Sequence, residues 1–316
     1  MALDQVEWDF TASHPACGLL LTKTAMPTSS AFQPCETPPL ILTFNASDPT
    51  GAGGLQADVI TISSMGGHPL SVVTALTIQD TLGTDSVIAI DADTVIEQAR
   101  TLLEDMPVAA FKIGLVGNVE GITALAEIMA DYPDIPLIID PQMASKRGDQ
   151  LVSDEYIEAM VEMLIPQATL ICANLLEARH LLGDALDDDE DASITDIAGK
   201  LLALGTEFVL ITGTQEGSAD IINRLFSEDD GQILETNWAR LPVSFAGAGA
   251  TLSAGIATGL ANGLTVAEAV LDAQDFTFQT LLHAFRPGMG LLVPDRLYWA
   301  MNSEDENAAA IPPLVS

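Results

Sequence analysis

Leu40-Ile41-Leu42-Thr43-Phe44, then Asn45-Ala46-Ser47-Asp48-Pro49-Thr50-Gly51-Ala52-Gly53-Gly54, then Leu55 to Met65 follow one another without a break. The first run is apolar and has the length of a buried strand. The second is rich in turn formers, with Asp48-Pro49 and three glycines. The third has helical character and ends at Gly66-Gly67. Strand, glycine-rich loop and helix form the unit from which the rest of the chain is read.

The same alternation recurs downstream. Leu70 to Ile78 reads as a buried strand ending at Gln79-Asp80, and Ser86 to Ile90 as a short strand. Thr94 and Glu97 have the spacing of a capping box at the start of a helix. Val108 to Ile113 is a strand with Lys112 near its end, followed by Gly114-Leu115-Val116-Gly117 and a helix from Val119 to Met129. Ile135 to Ile139 is a strand ending in Asp140-Pro141. A loop with Gln142 and Lys146-Arg147-Gly148-Asp149 leads to a helix over 154–164. Thr169 to Cys172 is a strand, after which Asn174-Leu175-Leu176-Glu177 opens a short helix. A helix over 194–204 precedes the strand Phe208 to Ile211 and Thr212-Gly213-Thr214. Segments 220–226 and 232–238 read as a hairpin around Asp229-Asp230-Gly231. A second capping box, Thr265 to Glu268, starts a last helix that runs to Phe285. This spacing predicts an α/β fold with a mostly parallel central sheet covered by helices on both faces. In such sheets ligands bind beyond the carboxyl ends of the strands.

Between the hairpin and the last helix lies Ser244-Phe245-Ala246-Gly247-Ala248-Gly249-Ala250-Thr251-Leu252. Leu252, Ile256 and Leu260 then recur four apart, so a helix starts inside this stretch. Small residues admit close approach of a ligand to the backbone. The first amides of a helix lack internal partners and carry the positive end of its dipole, so the loop can hold an anion. Taken alone, a Gly/Ala turn before a helix is more often a packing feature. No side chain in this one can take a proton.

Bulk composition narrows the function classes. Eleven basic residues stand against 45 acidic ones, a net charge of −34. That excess argues against nucleic acid or an anionic membrane surface as a partner. Three cysteines, Cys17, Cys35 and Cys172, have no metal-site spacing, and no apolar run reaches membrane-spanning length. Asp4, Glu7 and Asp9 precede the first basic residue, Lys23, the reverse of a signal peptide. A soluble protein of the reducing cytoplasm is expected. Residues 1–38 read as a disordered extension, 39–300 as one domain and 301–316 as a polar tail. The acidic run Asp187 to Asp191 lacks calcium-loop spacing and reads as a solvated loop.

Taken together, the segments resemble the ribokinase-like superfamily, and within it the hydroxymethylpyrimidine/phosphomethylpyrimidine kinases of thiamine biosynthesis. The resemblance rests on Thr43 to Gly51 with Leu55-Gln56-Ala57-Asp58, on Val73 to Gln79, and on Lys112-Ile113-Gly114. Asp140-Pro141, Arg147-Gly148-Asp149, Asn174, Glu177 and the Gly247–Ala250 loop with Thr251-Leu252-Ser253 complete it. It implies ATP and a small pyrimidine alcohol in one cleft, with Mg2+. The amides of Gly247, Ala248 and Gly249 would form the anion hole, and Ala250 holds the position of the usual base. Asp58, Gln79, Leu115 and Gln142 would face the pyrimidine, Gln79 reading a ring nitrogen and its exocyclic amine. Asn174, Glu177, Thr212 and Gly213 would serve ATP, with Glu177 reaching Mg2+ through water. Without the resemblance, Asn174 and Glu177 read as ordinary helix capping. Dimers are common in that family, so a homodimer is among the expected assemblies.

Four positions depart from the family pattern: Ala250 for the usual Cys or Asp, Ala246 for His, Thr212 for a frequent Lys, and Gln142 for an apolar residue. General base catalysis contributes about 10²–10⁴-fold. Its loss at Ala250 predicts a slow kinase. The alternative reading is a non-catalytic pyrimidine- or nucleotide-binding pseudokinase. A third is a kinase of another small alcohol, such as pyridoxal or a sugar.

Overall fold

The structure is a computed structural model that describes residues 36–143, 151–186, 192–213 and 219–300. The N-terminal extension, Arg147-Gly148-Asp149, the acidic run 187–191, Thr214 and the 301–316 tail lie outside the described residues. The elements below belong to one compact unit.

Among the described residues, nine strands form one sheet. They are β1 (Leu40–Ser47), β2 (His68–Gln79), β3 (Thr84–Ala89), β4 (Val108–Ile113), β5 (Leu137–Ile139), β6 (Leu170–Asn174), β7 (Phe208–Thr212), β8 (Asp220–Ser227) and β9 (Gly231–Ala239). Their order is β3-β2-β1-β4-β5-β6-β7-β8-β9. The run from β2 to β7 is parallel, while β3, β8 and β9 are antiparallel to their neighbours. The order reverses at β1, which has β2 on one side and β4 on the other. That is the switch point where a crevice opens in such sheets.

The helices are α1 (Gly54–Ser64), α2 (Ala92–Asp105), α3 (Val119–Asp131), α4 (Asp154–Ala159), α5 (Leu175–Leu182), α6 (Ile194–Leu202), α7 (Ala248–Ala261) and α8 (Val266–Leu282). Strand periodicity assigns them to two layers. Leu40, Leu42 and Phe44 of β1 join the core that holds Val95 of α2, Leu125 of α3, Leu181 of α5 and Ile197 of α6. Ile41, between them, joins the core of Ile62 of α1, Leu252 and Ile256 of α7 and Val270 of α8. Alternate side chains point to opposite faces, so a strand buried on both faces reads as an uninterrupted apolar run.

Three local expectations are corrected. The box at Thr94 does not cap α2: Asp91 precedes the helix and accepts from the Thr94 amide, so Thr94 already lies in the first turn. The helix expected over 154–164 is α-helical only to Ala159, then passes through a π turn (Met160–Leu164) into a 3-10 turn over Pro166. The last helix stops at Leu282, because Phe285 is taken into a bridge with Val293 ahead of Pro287. The Thr265–Glu268 box forms as read, with both reciprocal bonds present.

Candidate active site

Asp48, just past β1, organises the first glycine-rich turn. Its Oδ1 accepts from the Thr50 amide (2.8 Å) and hydroxyl (2.7 Å), and its Oδ2 accepts from the Gly53 amide at 2.7 Å. Further back on β1, Asn45 Oδ1 accepts from the Leu115 amide at 3.0 Å and fixes the loop after β4. A side chain at Gly114 would collide with that carboxamide, which explains the glycine there.

Beneath these loops lies a buried charge cluster. Lys112 Nζ on β4 donates to Asp58 Oδ1 (2.9 Å) and Oδ2 (3.1 Å), and both side chains are fully buried. Asp58 Oδ2 also accepts from Thr43 Oγ1 and Asn45 Nδ2. Asp140, at the end of β5, stands 3.8 Å from the same ammonium. Its Oδ2 accepts from Gln142 Nε2 (2.7 Å) and Ser253 Oγ (3.2 Å). Burial raises the Asp140 carboxyl above the usual carboxylate range, and Lys112 and the Gln142 bond only partly offset it.

The stretch Ser244–Leu252 delivers the start of α7 to the same place. Gly247 is the N-cap, with φ of 81°. Any side chain on it would strike the Ala52 carbonyl, so both backbone shape and space require glycine. The Thr251 amide makes the first helical bond, to Gly247 O at 3.0 Å. The amides of Ala248, Gly249 and Ala250 have no carbonyl within the helix to bind. Gly247, Gly249 and Ala250 line a cavity of about 330 Å³ that also touches Asp48, Asp140 and Glu177. First-turn residues of a helix and carboxylates on the wall of one small cavity suit an anionic group carried with a hard cation.

The sequence model of the phosphomethylpyrimidine kinases matches residues 48–294, which runs from Asp48 past the start of α7. The chain belongs to that family. It is 34% identical to the hydroxymethylpyrimidine/phosphomethylpyrimidine kinase of Streptomyces coelicolor over 266 residues, 83% of this chain and 96% of the relative. It is 33% identical to the enzyme of that name from Mycobacterium tuberculosis over 263 residues, 81% and 93% of the two chains. Among solved structures, phosphomethylpyrimidine kinase of Clostridium difficile aligns with a TM-score of 0.65 at 30% identity, over 77% of this chain and 99% of that one. Pyridoxal kinase of Bacillus subtilis, solved as an ADP complex, aligns with a TM-score of 0.73 at 28% identity, over 84% and 100%. The fold is ribokinase-like.

Within this phosphomethylpyrimidine kinase family fold, the cavity gathers Gln79, Leu115, Gln142, Asn174, Glu177, Thr212, Gly247, Gly249 and Ala250. Three expected residues are not on its wall. Asp58 was expected near the pyrimidine, yet its carboxylate is consumed by Lys112, Thr43 and Asn45 inside the core. Gly213 is off the wall, its amide bound to Asn223 Oδ1 at 3.1 Å. Ala248 contributes no wall and stands only as a first-turn residue of α7. Asn174 and Glu177 form a capping box on α5: Asn174 Oδ1 accepts from the Glu177 amide, and Glu177 Oε2 from the Asn174 amide. The capping reading is therefore correct, and the same pair also faces the cavity. Gln142 lines the cavity with φ of 42°, a sparsely populated shape for a residue with a side chain.

The sequence reading assigned no role to Asn45, Asp140, Ser253 or Arg296. Asp140 carried a usable signal, a carboxylate ending an apolar strand. Arg296 carried none beyond the scarcity of basic residues.

Proposed function

We propose that the chain transfers the terminal phosphoryl group of ATP to 4-amino-5-hydroxymethyl-2-methylpyrimidine and to its monophosphate, serving thiamine diphosphate synthesis. One observation carries this reading: Gly249 and Ala250, in the first turn of α7, line the same cavity as Gln79 and Leu115. Charge would be stabilised at one side of the cavity and a flat heterocycle held at the other.

Phosphoryl transfer depends mainly on alignment and on stabilising charge on the phosphoryl oxygens. The amides of Gly249 and Ala250, whose residues line the cavity, would donate to those oxygens. Gln79 would offer its carboxamide to the ring edge, in an orientation held by Thr84 Oγ1, which donates to its Oε1 at 2.8 Å. Leu115 supplies a buried apolar wall. Asp140 and Glu177 supply carboxylates to the cavity, and Asn174 fixes Glu177 through the capping box. This oxygen-rich pair fits Mg2+, which uses few protein ligands and keeps waters and phosphates in its shell. When bound, Mg2+ would neutralise phosphate charge. Thr212 lines the ATP side in place of the frequent lysine. The buried methyl of Ala250 cannot accept the hydroxyl proton, so the reaction runs without the usual base.

The non-catalytic alternative finds no support among the relatives, which are named as kinases. Pyridoxal is the substrate to set against the pyrimidine, because the similar solved structures include pyridoxal kinases. Coupled turnover of ATP with each compound tests the reading. Turnover with the hydroxymethylpyrimidine is expected, and turnover with pyridoxal alone would replace it.

A homodimer is the assembly to test by sedimentation. Leu76 and Ile88 are cross-strand partners on β2 and β3, and with Ile78 they leave an exposed apolar face. No helix among the described residues is long and apolar enough to cross a membrane. The free, buried Cys172 agrees with the reducing cytoplasm as the place of the reaction.

A further inference from the structure

Arg296 is buried to 3% exposure and lies more than 40 residues from the loop it serves. Its guanidinium makes four bonds. Nε donates to Thr251 Oγ1 at 3.0 Å, and Nη1 to Gly51 O at 3.3 Å. Nη2 donates to Ala52 O at 2.6 Å and to Gly247 O at 3.3 Å. Its own backbone carbonyl accepts from Ser64 Oγ at the end of α1, which anchors the residue from behind. Every acceptor of the guanidinium belongs to one of two elements, the Gly51–Ala52 turn or the first turn of α7.

Those two elements meet carbonyl to carbonyl. The Ala52 carbonyl fills the space beside the Gly247 α-carbon, and Ala52 O and Gly247 O both accept from the same Nη2 of Arg296. A planar group with several donors is suited to sit between them. Gly247 O also accepts from the Thr251 amide (3.0 Å) and hydroxyl (2.9 Å). These bonds hold its oxygen toward the protein, opposite the amides that begin α7.

Among the described residues no carboxylate is within ion-pair distance of Arg296. Burial pulls its ionisation down to about 10, and Asp58, Asp48 and Asp295 resist that pull from further away. The group therefore stays cationic at neutral pH. A buried cation bonded only to neutral oxygens has no counter-charge in direct contact, and this one is bonded to the N-cap carbonyl of α7.

We propose that Arg296 is a positioning residue for phosphoryl transfer, clamping the start of α7 to the Gly51–Ala52 turn and adding a positive field behind the amides that receive the phosphoryl group. This rests on the kinase reading above. It predicts that the residue matters more as charge develops on the transferring group than in binding the pyrimidine.

The test compares the full chain with Arg296→Met, Arg296→Lys and Thr251→Val. It measures kcat, the KM of the hydroxymethylpyrimidine, and affinity for ADP with and without beryllium fluoride. For Arg296→Met, kcat is expected to fall roughly 10²-fold, as for loss of one donor to a developing anion, with the pyrimidine KM within about threefold. Fluoride-dependent tightening of ADP should shrink in parallel. Arg296→Lys keeps the charge but cannot span four acceptors, so it should recover part of kcat. Thr251→Val removes two bonds, the one from Arg296 Nε and the one to Gly247 O, and tests the clamp even where the arginine variant fails to fold, with kcat expected to fall several-fold at unchanged KM. An unchanged kcat in Thr251→Val or in folded Arg296→Met overturns the proposal. So does a loss confined to the pyrimidine KM. A parent with no turnover overturns the kinase reading instead, and the fluoride-dependent ADP affinity then decides the role of Arg296 by itself.

Discussion

Lys112 Nζ and Asp58 Oδ1 stand 2.9 Å apart with both side chains fully buried, on β4 and α1 respectively. The pair joins the central sheet to the helix that follows the first glycine-rich turn. Removing one partner leaves a buried charge without its counter-charge, which costs about 3–5 kcal/mol. Lys112→Met is therefore expected to lose roughly that much stability in urea unfolding. The double variant Lys112→Met with Asp58→Leu should regain most of it. A single variant as stable as the parent would contradict this assignment of Asp58 to the core.

Ala250, which we propose stands at the base position, presents a methyl group and is 4% exposed on the cavity wall. Ala250→Cys introduces an ionisable thiol at the start of a helix, where thiolates are favoured. A rise in kcat of about tenfold or more is expected, given the 10²–10⁴-fold range for general base catalysis. Brisk parent turnover unaltered by cysteine would show that position 250 need not carry a base.

Glu177 acts both as partner of Asn174 in the capping box and as a carboxylate on the cavity. Glutamine can take the same place in such a box but carries no charge. Glu177→Gln should leave the melting temperature nearly unchanged while raising the Mg2+ concentration needed for half-maximal rate. Asn174→Ala removes the cap itself and should cost about 1 kcal/mol of stability. If Glu177→Gln destabilises as much as Asn174→Ala and leaves the Mg2+ dependence alone, capping is the whole role of the pair.

The buried Asp140 resists ionisation, because burial outweighs Lys112 and the Gln142 bond. Its carboxyl is raised in the folded chain, so the unfolded chain ionises first as pH increases. The parent therefore loses stability as pH climbs from the ordinary carboxylate range through the raised value, whereas an asparagine at this site does not. Asp140→Asn should thus gain resistance to urea relative to the parent at pH 7, with the gain vanishing at the lowest pH where both fold. Its turnover should fall. A stability difference that is constant with pH would rule out the raised ionisation.

Gln142 holds φ of 42° while its amide reaches Asp140 Oδ2. Gln142→Gly relieves the backbone but removes that bond. Unstrained backbone is worth of order 1 kcal/mol, and a bond to a charged group about 1.5–3 kcal/mol. The lost bond outweighs the relieved strain by about 0.5–2 kcal/mol, so the expected signature is a modest loss of stability with a further rise in the pH at which the Asp140 carboxyl ionises, read by the pH profile of kcat. An unaltered profile would remove Gln142 from control of Asp140.

The sequence by itself determined the layered sheet, because a strand buried on both faces must read as an unbroken apolar run, as at Leu40 to Phe44. It also located the Gly247–Ala250 loop, since a helix start after small residues is a local property. Helix ends were legible where a side chain caps its own turn, as at Thr265, and misread where a neighbouring residue competed, as Asp91 did with Thr94. The partnerships belong to the tertiary structure alone. Asp58 and Lys112 are 54 positions apart, Asp140 and Ser253 are 113 apart, and Arg296 reaches Ala52 across 244. Local pattern reports which face a residue occupies, but not which distant charge or carbonyl will stand opposite it. That depends on how the strands are ordered in the sheet. Burial then makes the pairing matter, because a charge or a carbonyl deprived of water must find its partner inside the fold.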